Sequence, residues 1–148
     1  MITDDRPYSK EIFEALRDHV SAKVTAPLLR AMIRVESGYN PRATRTEPHL
    51  LRGKDLESVA MASSHGLTQM LGSTAKHLGM DWRELYDPLQ SIRAGMNYLE
   101  YCLRSEHDNV RLALSCYNQG PRKSKKTPYS PAAELHAMKV LATMAEEG

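Results

Sequence analysis

The stretch IRVESGYNPRA, residues 33–43, sets a carboxylate on what is otherwise the apolar face of a helix. Leu28, Leu29, Met32 and Ile33 recur at helical spacing, and Glu36 falls on the same side, one turn beyond Met32 and Ile33. Gly38 and Pro41 then end the helix, so Glu36 sits in its last turn. Desolvation and the helix dipole both work against a charged carboxylate there, and the position favours the protonated form that a general acid needs. The alternative is a glutamate that turns outward or pairs with Arg30 or Arg34. Further acids, Glu47, Asp55 and Glu57, stand in a polar segment downstream. The six histidines, His19, His49, His65, His77, His107 and His136, show no paired ligand spacing of the His-Glu-x-x-His kind, so no metal and no cofactor is expected. Cys102 and Cys116 both lie in apolar helical patterns and read as buried free thiols.

The elements that would hold these residues are helical along nearly the whole chain. At 148 residues it is long enough for one self-sufficient domain, 1–148, with no internal repeat and no linker. A first helix opens near Ser9 with Ile12, Phe13, Leu16 and Val20 on one side, and the Glu36 helix follows with Thr25 as its cap and Pro27 in its first turn. Residues 41–65 are polar and irregular, long enough for a functional loop or a short hairpin. GLTQMLGSTAKHLGM reads as two short helical pieces, with Ser73 capping the second and Gly79 stopping it. Asp87-Pro88 starts a long helix striped by Ile92, Met96, Leu99 and Leu103. Another helix carries Val110, Ala113, Leu114 and Tyr117 inward, and Ser130-Pro131 begins the last. A net charge of +2 falls short of the dense basic stripe of a nucleic-acid binder, and no stretch is long and apolar enough to span a membrane. The run RKSKK at 122–126 reads as a solvated loop, and Trp82 and Tyr86 as packing.

ESG at 36–38, GLTQM at 66–70, SIRAGMNYL at 91–99 and CYNQGP at 116–121 stand in the order and at the separations seen in soluble lytic transglycosylases, which the chain resembles most strongly over residues 25–121. The resemblance implies a mainly α, lysozyme-like domain whose cleft runs between the Glu36 helix and the segments 66–69 and 117–118. It implies cleavage of the bond between N-acetylmuramic acid and N-acetylglucosamine in peptidoglycan strands. Glu36 matches the catalytic residue, first acid and then base, and the product ends in anhydro-muramic acid. Ser37, Gln69, Tyr117 and Asn118 match substrate-side positions.

Departures from the family pattern mark where it is weaker. Thr68 replaces the usual Met of Gly-Leu-Met-Gln and Gly72 stands where Pro is common. The Glu-Thr-x-x-Tyr segment that closes the far side of the family's cleft is missing, with Tyr129 and Glu134 as stand-ins. Two other functions stay open. A loop acid that positions water would make the enzyme a hydrolytic muramidase of the goose-type-lysozyme kind. A lysozyme-like module that grips glycan without cutting it would lack the acid, which is present. The sequence opens without a basic, apolar leader, so delivery to the periplasm and wall is expected through a phage particle, a holin lesion or a secretion apparatus, or else the leader is missing from this piece.

Overall fold

A computed structural model describes residues 4–18 and 23–147. Seven α-helices and three short strands are described: α1 (Ser9–Arg17), α2 (Ala26–Ser37), β1 (Thr44–Thr46), α3 (Leu56–Met61), β2 (Ser63–His65), β3 (Met70–Leu71), α4 (Gly72–His77), α5 (Pro88–Ser105), α6 (Val110–Gln119) and α7 (Pro131–Glu147), with 3-10 turns at Pro48–Leu50 and Trp82–Tyr86. The mainly α, lysozyme-like class read from the sequence is the one observed.

Local chemistry sets most helix starts. The Thr25 hydroxyl accepts from the Leu28 N–H, Asp87 from Gln90, Asn109 from Leu112 and Ser130 from Ala133, each satisfying one otherwise orphaned donor of a first turn. Three expectations need correcting. Ser9 is the first residue of α1 rather than its cap, and its hydroxyl donates to the Arg6 carbonyl. Phe13 is 61% exposed, because the buried stripe of α1 runs through Ser9, Ile12 and Ala15 and leaves the next position turned about 100° away. Val20 and His19 lie outside the described residues. The segment 66–79 holds one helix, α4, rather than two pieces; it begins at Gly72 without a side-chain cap, and residues 66–69 form a turn.

The hairpin expected within 41–65 is present as the β1–β2 pair, in register Thr44 with His65 and Thr46 with Ser63. It continues to a third antiparallel strand, His65 pairing with Met70. Residues 47–62, carrying α3, bulge out between β1 and β2.

The molecule has two apolar clusters. The larger unites Leu28, Leu29, Met32 and Ile33 of α2 with Ile92, Met96, Leu99 and Leu103 of α5, Leu114 of α6 and Ala133, Ala137 and Val140 of α7. The smaller holds Met70, Ala75, Leu85 and Ala94 beneath the sheet. Leu67, fully buried, belongs to the larger cluster although it lies in the turn before β3, and so fastens the sheet lobe to the helical lobe. Truncating such a side chain to Ala costs about 2–5 kcal/mol.

Candidate active site

Helix α2 ends where its sequence requires. Gly38 adopts φ 59°, and its N–H closes on the Arg34 carbonyl, so the last turn is fixed with Glu36 on its inner side. The Glu36 side chain is 10% exposed, and its Oε1 lies 3.0 Å from Nε2 of His136, itself 15% exposed. Helix α7 packs directly on α2, which puts this contact in a helix–helix seam. Arg30 is not the partner: its guanidinium donates to the Pro7 carbonyl and the Ser9 hydroxyl and pairs with Asp4.

Beside this pair a cleft of about 810 Å³ opens between the two lobes, with Glu47, Gln69, Tyr98, Tyr117, Asn118 and His136 in its wall. Arg45, His49 and Lys139 add positive or titratable groups to the same wall. Glu36 meets the cleft at His136. Tyr117 is buried, its hydroxyl donates to the Thr68 carbonyl at 2.8 Å, and burial first and the nearby Glu36 carboxylate second hold its phenol well above its usual range. It stays neutral, a donor committed to the turn and a neighbour of the glutamate.

The 66–69 turn is built for close approach. Gly66 has φ +79°, and a Cβ there would stand 2.0 Å from the Leu85 carbonyl oxygen. Thr68, fully buried, donates from Oγ1 to the Ser91 carbonyl at 2.9 Å, and Gly95 of α5 faces it so closely that a Cβ would lie 2.6 Å from the Thr68 side chain. Gln69 takes a left-handed φ of 51°, and its Nε2 donates to the carbonyls of Ala43 and Gly66. The amide thus braces the turn against the entry to β1 while the residue lines the cleft.

The structure brings Gln69, Tyr117 and Asn118 into the lining of one cleft, whereas Glu36 is not itself in that lining and touches it through His136. Ser37 is not in the wall, and its hydroxyl donates back to the Ile33 carbonyl at 3.0 Å. Of the three loop acids only Glu47 lines the cleft, paired with Arg45 at 3.6 Å. Asp55 instead caps α3 through the N–H and hydroxyl of Ser58, and Glu57 is exposed on that helix.

Neither suggested stand-in for the family's closing segment reaches the cleft. Tyr129 is buried and donates to Glu106, which Arg122 grips with two hydrogen bonds of 2.8 and 3.0 Å. Burial opposes the charge on Glu106, but the hydrogen bonds from Tyr129 and Arg122 outweigh it and hold the carboxyl below its usual range. The basic run thus contributes an internal clamp through Arg122. Glu134 is likewise absent from the wall, and His136 fills the far side. His136 escaped the sequence reading because a lone histidine in an amphipathic helix carries no pairing signal; its place two residues after Glu134, in the segment that departs from the family, was the only hint. Trp82 stacks on His65 at 5.1 Å in the sheet lobe, outside the cleft wall, as packing.

These residues sit on a chain whose relatives are recognisable. A family model described as Transglycosylase SLT domain matches residues 16–136. Among curated proteins, the Type IV secretion system protein virB1 of Brucella abortus biovar 1 is 25% identical over 153 aligned positions, covering 88% of this chain and 63% of the relative. The proteins of that name from Brucella melitensis biotype 1 and Brucella suis biovar 1 align equally well, so the chain spans 63% of the length of these relatives. With the family match running from α1 into α7 and enclosing both lobes of the cleft, the chain belongs to the transglycosylase SLT domain family.

Proposed function

We propose that this chain is a peptidoglycan lytic transglycosylase in which Glu36 acts first as acid and then as base on the bond between N-acetylmuramic acid and N-acetylglucosamine. The observation that carries the reading is the placement of one inward carboxylate, at the end of α2, against the wall of an interlobe cleft lined by Gln69, Tyr117 and Asn118. Protonated Glu36 gives its proton to the glycosidic oxygen as that bond breaks, and oxocarbenium character develops on the muramic sugar. The carboxylate left behind takes the proton of that sugar's own C6 hydroxyl, O6 bonds to C1, and the fragment ends as the anhydro sugar. Asn118, exposed in the wall, and Gln69 offer amide groups to acetamido and hydroxyl partners. Ser37 serves the same side of the substrate by shaping the end of α2. Family membership supports this reaction class, as does the description of the family model.

Hydrolysis is the second reading, favoured by one observation: Glu47 lines the same cleft from the opposite lobe. A water held by Glu47 would attack C1 in place of O6. Digestion of isolated peptidoglycan followed by mass spectrometry separates the two outcomes, since the anhydro product is lighter by one water. The expected result is predominantly anhydro ends, with Glu36→Gln lowering kcat by about 10²–10⁴-fold at unchanged melting temperature. Predominantly reducing ends would refute the transglycosylase chemistry, and a fully active Glu36→Gln would refute the site. The relatives' name as secretion-system proteins favours action in the periplasm and wall beside such an apparatus. Among the described residues no helix is long and apolar enough to cross a membrane.

A further inference from the structure

We propose that His136 is the positioning residue of Glu36, an inference that rests on Glu36 being the acid. The contact of 3.0 Å joins Nε2 to Oε1, between side chains that are both largely buried. Because the two residues come from packed helices, α2 and α7, the imidazole is held by the core rather than by a mobile tip. Ala133, Ala137 and Val140 flank His136 and are fully buried in the main cluster, which fixes the rotation of α7 and hence the direction of the ring.

The other ionisable groups facing the pair are few enough to name. From α6 comes Tyr117, whose buried phenol stays neutral. From α7 comes Lys139, one turn along the cleft wall, and from the opposite lobe Arg45, Glu47 and His49. Glu47 is already matched to Arg45. His136 is at contact distance, Tyr117 and Lys139 stand on the same lobe, and Arg45, Glu47 and His49 face the pair from the other.

The geometry divides the work of the carboxylate. With Oε1 engaged by His136 at 3.0 Å, Oε2 is the oxygen assigned to proton exchange with substrate. Oε2–H protonates the glycosidic oxygen as the C1–O bond breaks and its electron pair leaves with the departing sugar. The new carboxylate is held by His136 while Oε2 removes the C6 hydroxyl proton and O6 bonds to C1. Glu36 ends protonated, His136 keeps its own proton throughout, and the cycle closes without an outside acid or base.

The test is kcat and KM on isolated glycan strands at one fixed pH for the wild type, His136→Gln and His136→Asn, with Glu36→Gln alongside. Glutamine keeps an N–H donor long enough to approach Oε1, and the shorter asparagine does not. His136→Asn is expected to lower kcat by about tenfold with KM changed less than about twofold, and His136→Gln to recover most of that loss. A purely structural role would not distinguish the two amides, so equal kcat in both, or a loss carried by KM, overturns the proposal. Thermal melting checks that the variants compared are folded alike. If Glu36→Gln is as active as wild type, the acid assignment itself has failed. If Glu36→Gln is silent while both histidine variants keep the wild-type kcat, the role of His136 alone has failed.

Discussion

Replacing Arg122 by Met would leave a buried carboxylate without its main counter-ion, and the structure sets the size and the pH signature of the result. Glu106 is 3% exposed and takes two hydrogen bonds from Arg122 and one from Tyr129, with Lys125 at 3.5 Å. Breaking a buried pair from one side costs about 3–5 kcal/mol, because the remaining charge keeps its desolvation penalty and loses its compensation. Tyr129 and the half-exposed Lys125 remain, which places the expectation at the lower end, about 3 kcal/mol at pH 7. For a chain of this size that is a fall in melting temperature of roughly 6–12 °C.

The sign with pH follows from the depressed carboxyl of Glu106. A folded-state value below the unfolded one contributes stability that is present above the unfolded value, about 4.3, and is lost as pH falls through the folded one. In Arg122→Met the hydrogen bonds and charge of Arg122 are lost while those of Tyr129 and Lys125 remain, so the depression shrinks against the opposing effect of burial. The difference in stability between wild type and variant is therefore largest near neutrality and narrows as pH drops below about 4, where Glu106 protonates in both. Urea titrations at a series of pH values measure it directly. A constant difference across that range would refute the electrostatic account, and a loss under about 1 kcal/mol at pH 7 would show that Tyr129 and Lys125 suffice without Arg122.

Two more substitutions probe the turn and the cleft wall. Gly95→Ala drives a Cβ to 2.6 Å from the buried Thr68 side chain and is expected to destabilise by about 1–3 kcal/mol, read by chemical denaturation, with kcat falling too because the Thr68 carbonyl anchors Tyr117; unchanged stability would mean that the α5 contact yields freely. Asn118→Ala, on an exposed position of the cleft wall, is expected to lower kcat/KM on glycan strands by about tenfold while melting as the wild type does; an unaltered kcat/KM would remove Asn118 from the substrate side.

What could be read in the sequence was what depends on neighbours along the chain. The inward direction of Glu36 follows from its spacing to Met32 and Ile33, and the starts of α2, α5 and α7 from Thr25, Asp87 and Ser130, each a short polar side chain one or two residues before a proline. What could not be read depends on contacts between distant segments. Nothing near position 136 says that α7 packs on α2 and brings its histidine to Glu36. Nothing in TRT or SSH announces strands, since three polar residues carry too short an alternation, and only pairing across 44–65 defines them. Phe13 is apolar yet exposed because it stands just off the buried stripe of α1, and residue type alone does not give burial there. Glu47, Asp55 and Glu57 were equivalent as letters, and only the path of the loop brings Glu47 to the cleft and spends Asp55 on a cap.

The division of the site between lobes bears on which chemistry it performs. Glu36, Tyr117 and His136 all belong to the helical lobe, packed through one continuous core, so the acid, its neighbour and its proposed partner keep their mutual geometry whatever the cleft width. Glu47 stands on the other lobe, at the end of β1, in a chain that bulges out through residues 47–62. The lobes are tied by the Tyr117 hydroxyl on the Thr68 carbonyl, by Leu67 in the core and by the close approach of Gly95 to Thr68. A reaction that needs only one carboxylate and the sugar's own hydroxyl is served by the helical lobe alone. A hydrolytic one needs Glu47 held against Glu36 across the cleft to within the spacing that two cooperating carboxylates require, about 5–9.5 Å. The ties converge on the turn 66–69, while Glu47 is attached through a β1 whose residues are exposed on both faces. The half of the site packed through the continuous core is thus the half that the proposed anhydro chemistry would use, and that chemistry would not need Glu47 brought up to Glu36.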